Sequence, residues 1–279
     1  MPASETQDFF GVGARRLFRV RHFPEGDTHA VVVFCHAFGE EKKNPHRVFV
    51  ETARALAERG IASVRFDFAG CGDSSGDLRD ATVGLWLEDL AAVLEDCAEM
   101  ADAGAPRIVL GLRLGASLAA TFAAGRADVA ALALWHPIAH GKKAFASDLR
   151  RTLIKQMMTD GAGTLNRQEL IARLERGEGE VDLDGFPFTG RLYRGIAGLD
   201  LAIADTLYQG PTLIAQLSHS AAPLAELSPL MDRLAKEGIP TSFEPVVSPP
   251  IWARLDRVDS RELIQKTADW IETAIGVSP

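Results

Sequence analysis

The sequence predicts an α/β fold, a mostly parallel sheet with helices on both faces, and three observations carry that reading. Strand-like apolar runs alternate with helix-like segments along most of the chain, the order expected of strand–helix–strand units. The helical segments place their large apolar residues at spacings of three and four, so each has one buried stripe. The alternation breaks once, between about Pro137 and Gln209, as an insertion into a compact α/β core would break it.

Taken in order, residues 15 to 23 and 29 to 35 read as strands, the second through Val31, Val32, Val33 and Phe34. A helix is expected from about Pro45 to Arg59, with Phe49, Ala53 and Leu56 inward and Gly60 at its end. Strand 61 to 67 follows, then a long helix over 81 to 101 whose stripe is Trp86, Leu90, Val93, Leu94 and Cys97. Strand Arg107–Leu112, helix Leu114–Ala124 and strand Val129–Trp135 complete the first half of the core. Two amphipathic helices, Ser147–Met158 and Arg167–Arg176, and a Gly-rich acidic stretch fill the insertion, in which no buried strand is expected. The core resumes with strand Thr212–Leu217, helix Pro223–Lys236 and strand Thr241–Val247. A final helix over 260 to 275 buries Leu263, Thr267, Trp270 and Ile271 behind a capping box of Asp259 and Glu262. The expected organisation is a core over 1–136, a cap or lid over 137–209 and the rest of the core over 210–279.

Bulk properties narrow the function classes. A chain of 279 residues with 47% hydrophobic residues is long enough for one well-filled domain with an inserted subdomain. The net charge of −8 and the scattered basic residues argue against nucleic acid as a partner. The polar segment Met1–Arg16 lacks the apolar stretch of a signal peptide, and no run approaches the roughly 20 apolar residues of a membrane span. Cys35, Cys71 and Cys97 are an odd set without metal-ligand spacing, which fits reduced thiols in the cytoplasm. The histidines show neither H-x-H nor H-E-x-x-H spacing, so neither metal nor cofactor is expected. Gly70, Gly72 and Gly76 have the wrong spacing for a dinucleotide fingerprint.

Four local signals then point to an α/β-hydrolase fold. His36-Ala37-Phe38-Gly39 follows an apolar strand, as does the H-G-x-G turn whose backbone N–H helps form an oxyanion hole. Asp67-Phe68-Ala69-Gly70-Cys71-Gly72-Asp73-Ser74-Ser75-Gly76 matches a D-x-x-G-x-G-x-S loop. Gly111-Leu112-Arg113-Leu114-Gly115 sits at a strand-to-helix corner with small residues flanking its centre, as a nucleophile elbow requires. The insertion after the next strand is the fourth.

At the centre of that elbow stands Arg113, where Ser, Asp or Cys would attack. A guanidinium stays protonated and is no nucleophile. The acid position after Leu217 reads Ser218-His219-Ser220-Ala221, with no carboxylate. The base loop after Val247 reads Ser248-Pro249-Pro250-Ile251-Trp252-Ala253-Arg254, with no histidine.

This combination resembles the exosortase A system-associated hydrolase 2 family, a bacterial group linked to exopolysaccharide and PEP-CTERM protein-sorting loci. The matching stretches are His36 to His46, Asp67 to Asp77, the elbow with its arginine, Trp135-His136-Pro137 with Gly141-Lys142, and Pro249 to Trp252. The resemblance implies the α/β-hydrolase fold over most of the chain and, by the family's name, an ester or thioester hydrolase type.

Two readings of Arg113 stand open: at a helix start it can bind an anionic or acyl ligand bidentately, or it can bridge internally to Glu40, Glu41 or Asp73. Ligand-binding candidates are His36, Ala37, Phe38, Arg113, Leu114, His136, His219 and Trp252, with Pro250 and Trp252 in the former base loop. Trp252 can plug the site or merely pack its loop; His136 and His140 can line the cleft or tie their loop; Cys71 can be a displaced nucleophile. Two functions follow. One is a non-catalytic module, monomer or homodimer, holding a small acidic or acylated ligand or a pathway protein. The other is a hydrolase or acyl-transfer enzyme working through unusual residues such as His36, His219 or Cys71.

Overall fold

The computed structural model describes residues 4–102, 104–160, 166–254 and 256–276. Of the N-terminal segment, Met1 to Ala3 therefore lie outside the described residues, as do residues 161–165 between the two helices expected in the insertion. In chain order the elements are β1 (Ser4–Val12), β2 (Arg15–Phe23), β3 (Ala30–Cys35), α1 (Glu40–Lys43), α2 (His46–Ala57), β4 (Ile61–Phe66) and α3 (Val83–Asp96). Next come β5 (Arg107–Leu112), α4 (Leu114–Ala123), β6 (Ala131–Trp135), α5 (Gly141–Asp160), α6 (Arg167–Arg176), β7 (Glu180–Leu183) and β8 (Phe186–Thr189). Then follow α7 (Gly190–Ala197), β9 (Thr212–Ser218), α8 (Ser228–Lys236), β10 (Thr241–Val247) and α9 (Arg261–Ala274).

Eight strands form one sheet in the order β1-β2-β4-β3-β5-β6-β9-β10. Only the β1–β2 and β2–β4 pairings are antiparallel; the pairings from β4 to β10 are parallel. Strands β3, β4 and β6 are buried along their whole length because helices cover both faces. One face packs α3, α4 and the elements between β6 and β9 around Trp86, Leu90, Leu118 and Phe122. The other packs α2 and α9 around Phe34, Phe49, Trp135 and Leu263.

The strand order positions the site. From β3 the chain crosses to β4 on one side, and from β5 it crosses to β6 on the other, so the order reverses between β3 and β5. Loops leaving the carboxyl ends of two such strands diverge and open a crevice, where open α/β sheets bind ligands. Cys35 pairs with Gly111 at that edge, so the His36 turn and the Arg113 elbow emerge side by side.

Two elements go beyond what the sequence predicts, and two expectations need correction. The polar N-terminus forms β1, which pairs with β2 over nine residues and shields an edge that the sequence leaves open. The segment between β6 and β9 holds, besides its helices, the two-stranded hairpin β7–β8, too short to produce a readable alternation. Helix α8 starts at Ser228, with a proline in its first turn, rather than at Pro223, so the loop after β9 is longer than expected. The capping box at α9 does not form: Ser260 is the N-cap, Asp259 accepts the N–H of Arg261, and Glu262 pairs with Lys266 one turn on.

Candidate functional site

The site is built on the corner after β5. Arg113 has φ 55° and ψ −120°, a conformation that costs a non-glycine residue strain, and it persists because its surroundings leave no alternative. A Cβ on Gly115 would strike the carbonyls of Cys35 and His36, and one on Gly111 would lie 2.6 Å from the Ala116 nitrogen. The two glycines therefore let α4 turn back directly against β3 and the His36 turn. The geometry of a nucleophile elbow is present, with an arginine at its apex.

The Arg113 guanidinium is occupied by the protein itself. Its Nε donates to both carboxylate oxygens of Glu41 at 3.3 Å. Its plane lies over the Trp252 ring, 4.8 Å from the centroid. Both members of the ion pair are largely shielded, with 13% and 11% of their side-chain surfaces exposed. Of the three carboxylates open to it in the sequence, Glu41 on the short helix α1 is the one bonded. The indole of Trp252 adds a π face that a cation favours, and Asn44 fixes the loop by donating its amide to the Trp252 carbonyl.

His136 stands on the other side of Trp252, ring centroids 4.6 Å apart. Its Nδ1 accepts the backbone N–H of Leu217 at 3.3 Å, and its Nε2 lies 3.1 Å from Glu226. An Nδ1 that accepts leaves the proton on Nε2, which donates to the carboxylate, so neither nitrogen is free to take a proton from a substrate. That hydrogen bond, helped by the nearby charge of Arg113, holds the Glu226 carboxyl below its ordinary value against the opposing effect of burial. Glu226 is the residue that sequence reasoning misses. It lies in the loop after β9, in which an acid is sought from the sequence, but an expected helix from Pro223 hides it.

The remaining candidates disperse. His219 is exposed on the β9 loop and Pro250 is half-buried. His140 binds Asp200 through Nδ1 at 2.9 Å. Ser117 is fully buried and tied to Ile138, donating to its carbonyl at 2.8 Å and accepting its N–H at 3.1 Å. Cys71 is mostly enclosed, and burial pushes its thiol up to about 12, so it stays protonated at neutral pH. His36 is buried, its Nδ1 has no hydrogen-bond partner, and desolvation with the charges of Lys42 and Arg65 holds it well below the usual histidine range. Ala37 and Leu114 are buried, and Phe38 packs between Trp86 and Phe188, with centroids at 5.5 and 5.4 Å.

Two hollows flank this centre. A small one of about 70 Å3 lies beneath the segment between β6 and β9, against Glu41, Leu114, Asp148 and Phe186. A larger one of about 500 Å3 opens on the far side of Phe38, between the His36 turn, the loop after β4, Trp86 and α4. Arg113 borders neither.

Asp148 on α5 gives the site a pH dependence. Burial, helped by the charge of Glu41, raises its carboxyl from 3.8 to about 6. A raised acid binds its proton more tightly folded than unfolded, so the contribution of this group to stability is greatest below about pH 4 and falls as pH rises towards 6. With the side chain 31% exposed, Asp148→Asn is expected to stabilise the protein by on the order of 1–2 kcal/mol at pH 8 and to have little effect at pH 4. Thermal unfolding of both proteins at the two pH values checks this; equal differences at both would refute it.

Comparison with known proteins agrees with the architecture. The Hydrolase_4 family model, described as serine aminopeptidase S33, matches residues 26–172. The mitochondrial palmitoyl-protein thioesterase ABHD10 of Mus musculus is 43% identical over 56 residues, which is 20% of this chain and 17% of that protein. The match thus spans about a sixth of the curated relative's length. Among solved structures, Est1E from Butyrivibrio proteoclasticus with bound ferulic acid superposes with a TM-score of 0.68 at 17% identity, over 96% of this chain and 99% of that one. Mouse ABHD10 superposes with a TM-score of 0.61 at 18% identity, over 96% and 99%. Among the described residues no helix is long and apolar enough to cross a membrane.

Proposed function

Because the chain belongs to the Hydrolase_4, or serine aminopeptidase S33, family and has the α/β-hydrolase fold, we propose that it uses that fold to bind rather than to hydrolyse. It is a non-catalytic or weakly catalytic protein that holds a small acidic or acylated ligand, or a partner protein, in an exopolysaccharide or exosortase-associated pathway. The observation that carries the reading is Arg113 at the strained elbow, its guanidinium enclosed by Glu41 and Trp252. A permanent cation cannot attack a carbonyl, and this one lies where the attacking atom would stand.

The loops around it support the same reading. His136 already has a partner on each nitrogen. Without nucleophile and base, only the modest rate enhancement of binding and an oxyanion hole would remain. The pathway assignment rests on the sequence resemblance, and the acyl character of the ligand is in keeping with the name of the thioesterase relative. Residues 137–209 serve as the cap, and three free thiols suit a reducing compartment such as the cytoplasm. At Arg113 itself an anionic ligand would have to share the cation with Glu41, which holds the Nε.

A second reading, turnover through unusual residues, is favoured by the carboxylates Glu41 and Glu226 beside the cation. The two part on one test. The binding reading expects no labelling by a serine-reactive fluorophosphonate and no ester turnover above buffer. The enzymatic one expects turnover that falls by orders of magnitude in Arg113→Ala.

A further inference from the structure

We infer that the ligand of this protein is a single-chain amphiphile with a monoanionic head, and that it lies in the cavity beyond Phe38 rather than over the elbow. The inference rests on the binding function proposed above and assigns it a place and a chemistry. At the elbow the Arg113 Nε is held by Glu41 and the guanidinium lies over Trp252, so an incoming acid would have to share the cation with a carboxylate already bonded to it. The neighbouring cavity of about 500 Å3 is of another kind. It falls within the ~300–1,000 Å3 usual for small-molecule sites, and it opens at the β3–β5 reversal, where the fold places its crevice.

Its walls specify the ligand. Phe66, Phe68, Trp86, Leu114, Leu118 and Phe186 supply an apolar lining from several different elements. Burying a methylene chain there favours binding in proportion to the apolar surface removed from water. The charged lining comes from α1 and the loop after β4, as Lys42, Lys43 and Asp67. Lys42 and Asp67 are bonded to each other, so the charge without a counter-charge inside the lining is Lys43, whose partner Glu40 lies outside it. Its pairing with Glu40 is between exposed groups, 62% and 40% accessible, and such pairs are weak. His36 and His46, also in the lining, are both held below the usual histidine range by burial and neighbouring cations, so they stay neutral and add no charge. One net positive charge at the rim and an apolar interior match a carboxylate on an unbranched chain. Cys71 completes the wall as a protonated, unreactive thiol.

The test is calorimetric titration of the full chain with sodium dodecanoate below its micelle concentration, and with 1-decanol as the uncharged comparison. Saturable one-to-one binding of dodecanoate is expected. Leu118→Trp, which fills the cavity from α4, should weaken both ligands at least tenfold. Lys43→Gln, at an exposed position, should weaken dodecanoate about tenfold and 1-decanol far less. Absence of dodecanoate binding, or affinity indifferent to both substitutions, overturns the inference. Hydrolysis of esters by the unmodified chain would instead defeat the non-catalytic reading, whatever the titrations give.

Discussion

Glu41→Ala is expected to lower the unfolding free energy by about 3 kcal/mol, and Arg113→Ala by a similar amount, while the double variant costs only about 4 kcal/mol. Each single change removes one member of a shielded ion pair and leaves the other charge with little water around it. Removing both takes away the attraction and the stranded charge together, so the costs do not add. Trp252 moderates the loss at Glu41, because the guanidinium keeps its place over the indole. Alanine at position 113 keeps the left-handed backbone, so no strain is released to mask the effect. Urea unfolding of the four proteins measures the coupling, expected near ~2 kcal/mol. Additive costs would mean that the two side chains meet without holding one another.

Gly115→Ala is expected to cost more than about 4 kcal/mol or to prevent folding, through one methyl group. The added Cβ meets backbone rather than a movable side chain, the carbonyl carbon of Cys35 lying 2.7 Å away. Relief requires α4 to move off β3, which would break the packing of Ala116 and Leu118, both buried in the layer between them. Gly11→Ala in β1 is the matched control: a methyl group added there would have nothing within 4 Å, so its melting temperature should stay within a few degrees of the unmodified protein. Soluble, cooperatively folded Gly115→Ala protein would show that the corner is looser than its contacts imply.

The core is legible in the sequence because its signals are strong and local. Apolar runs such as Val31 to Phe34 have no alternative but a strand covered on both faces, and the Trp86–Leu90–Val93–Leu94–Cys97 stripe fixes both a helix and its inner face. The Gly111–Gly115 spacing announces the elbow for a steric reason that the structure repeats. What escapes is what depends on distant partners. The edge strand β1 is polar and is a strand only because β2 lies beside it. The hairpin β7–β8 has four residues a side, too few for a period to emerge. At the site, the sequence offers Glu40, Glu41 and Asp73 equally to Arg113; the turn of α1 that buries Glu41 makes the choice. Glu226 becomes visible only once the helix after β9 is seen to begin at Ser228. The cavity beyond Phe38 is a product of several chain segments, and no one of them signals it.

We propose that the enclosed Arg113 takes the place of an attacking atom, and a reagent that seeks such an atom puts the assignment at risk. Intact-mass analysis of the folded chain after prolonged incubation with a fluorophosphonate, run beside ester turnover on the same sample, is that experiment. An unchanged mass and a rate equal to buffer are expected. A single adduct mapping beside the elbow, together with turnover that a point change there abolishes, would contradict it.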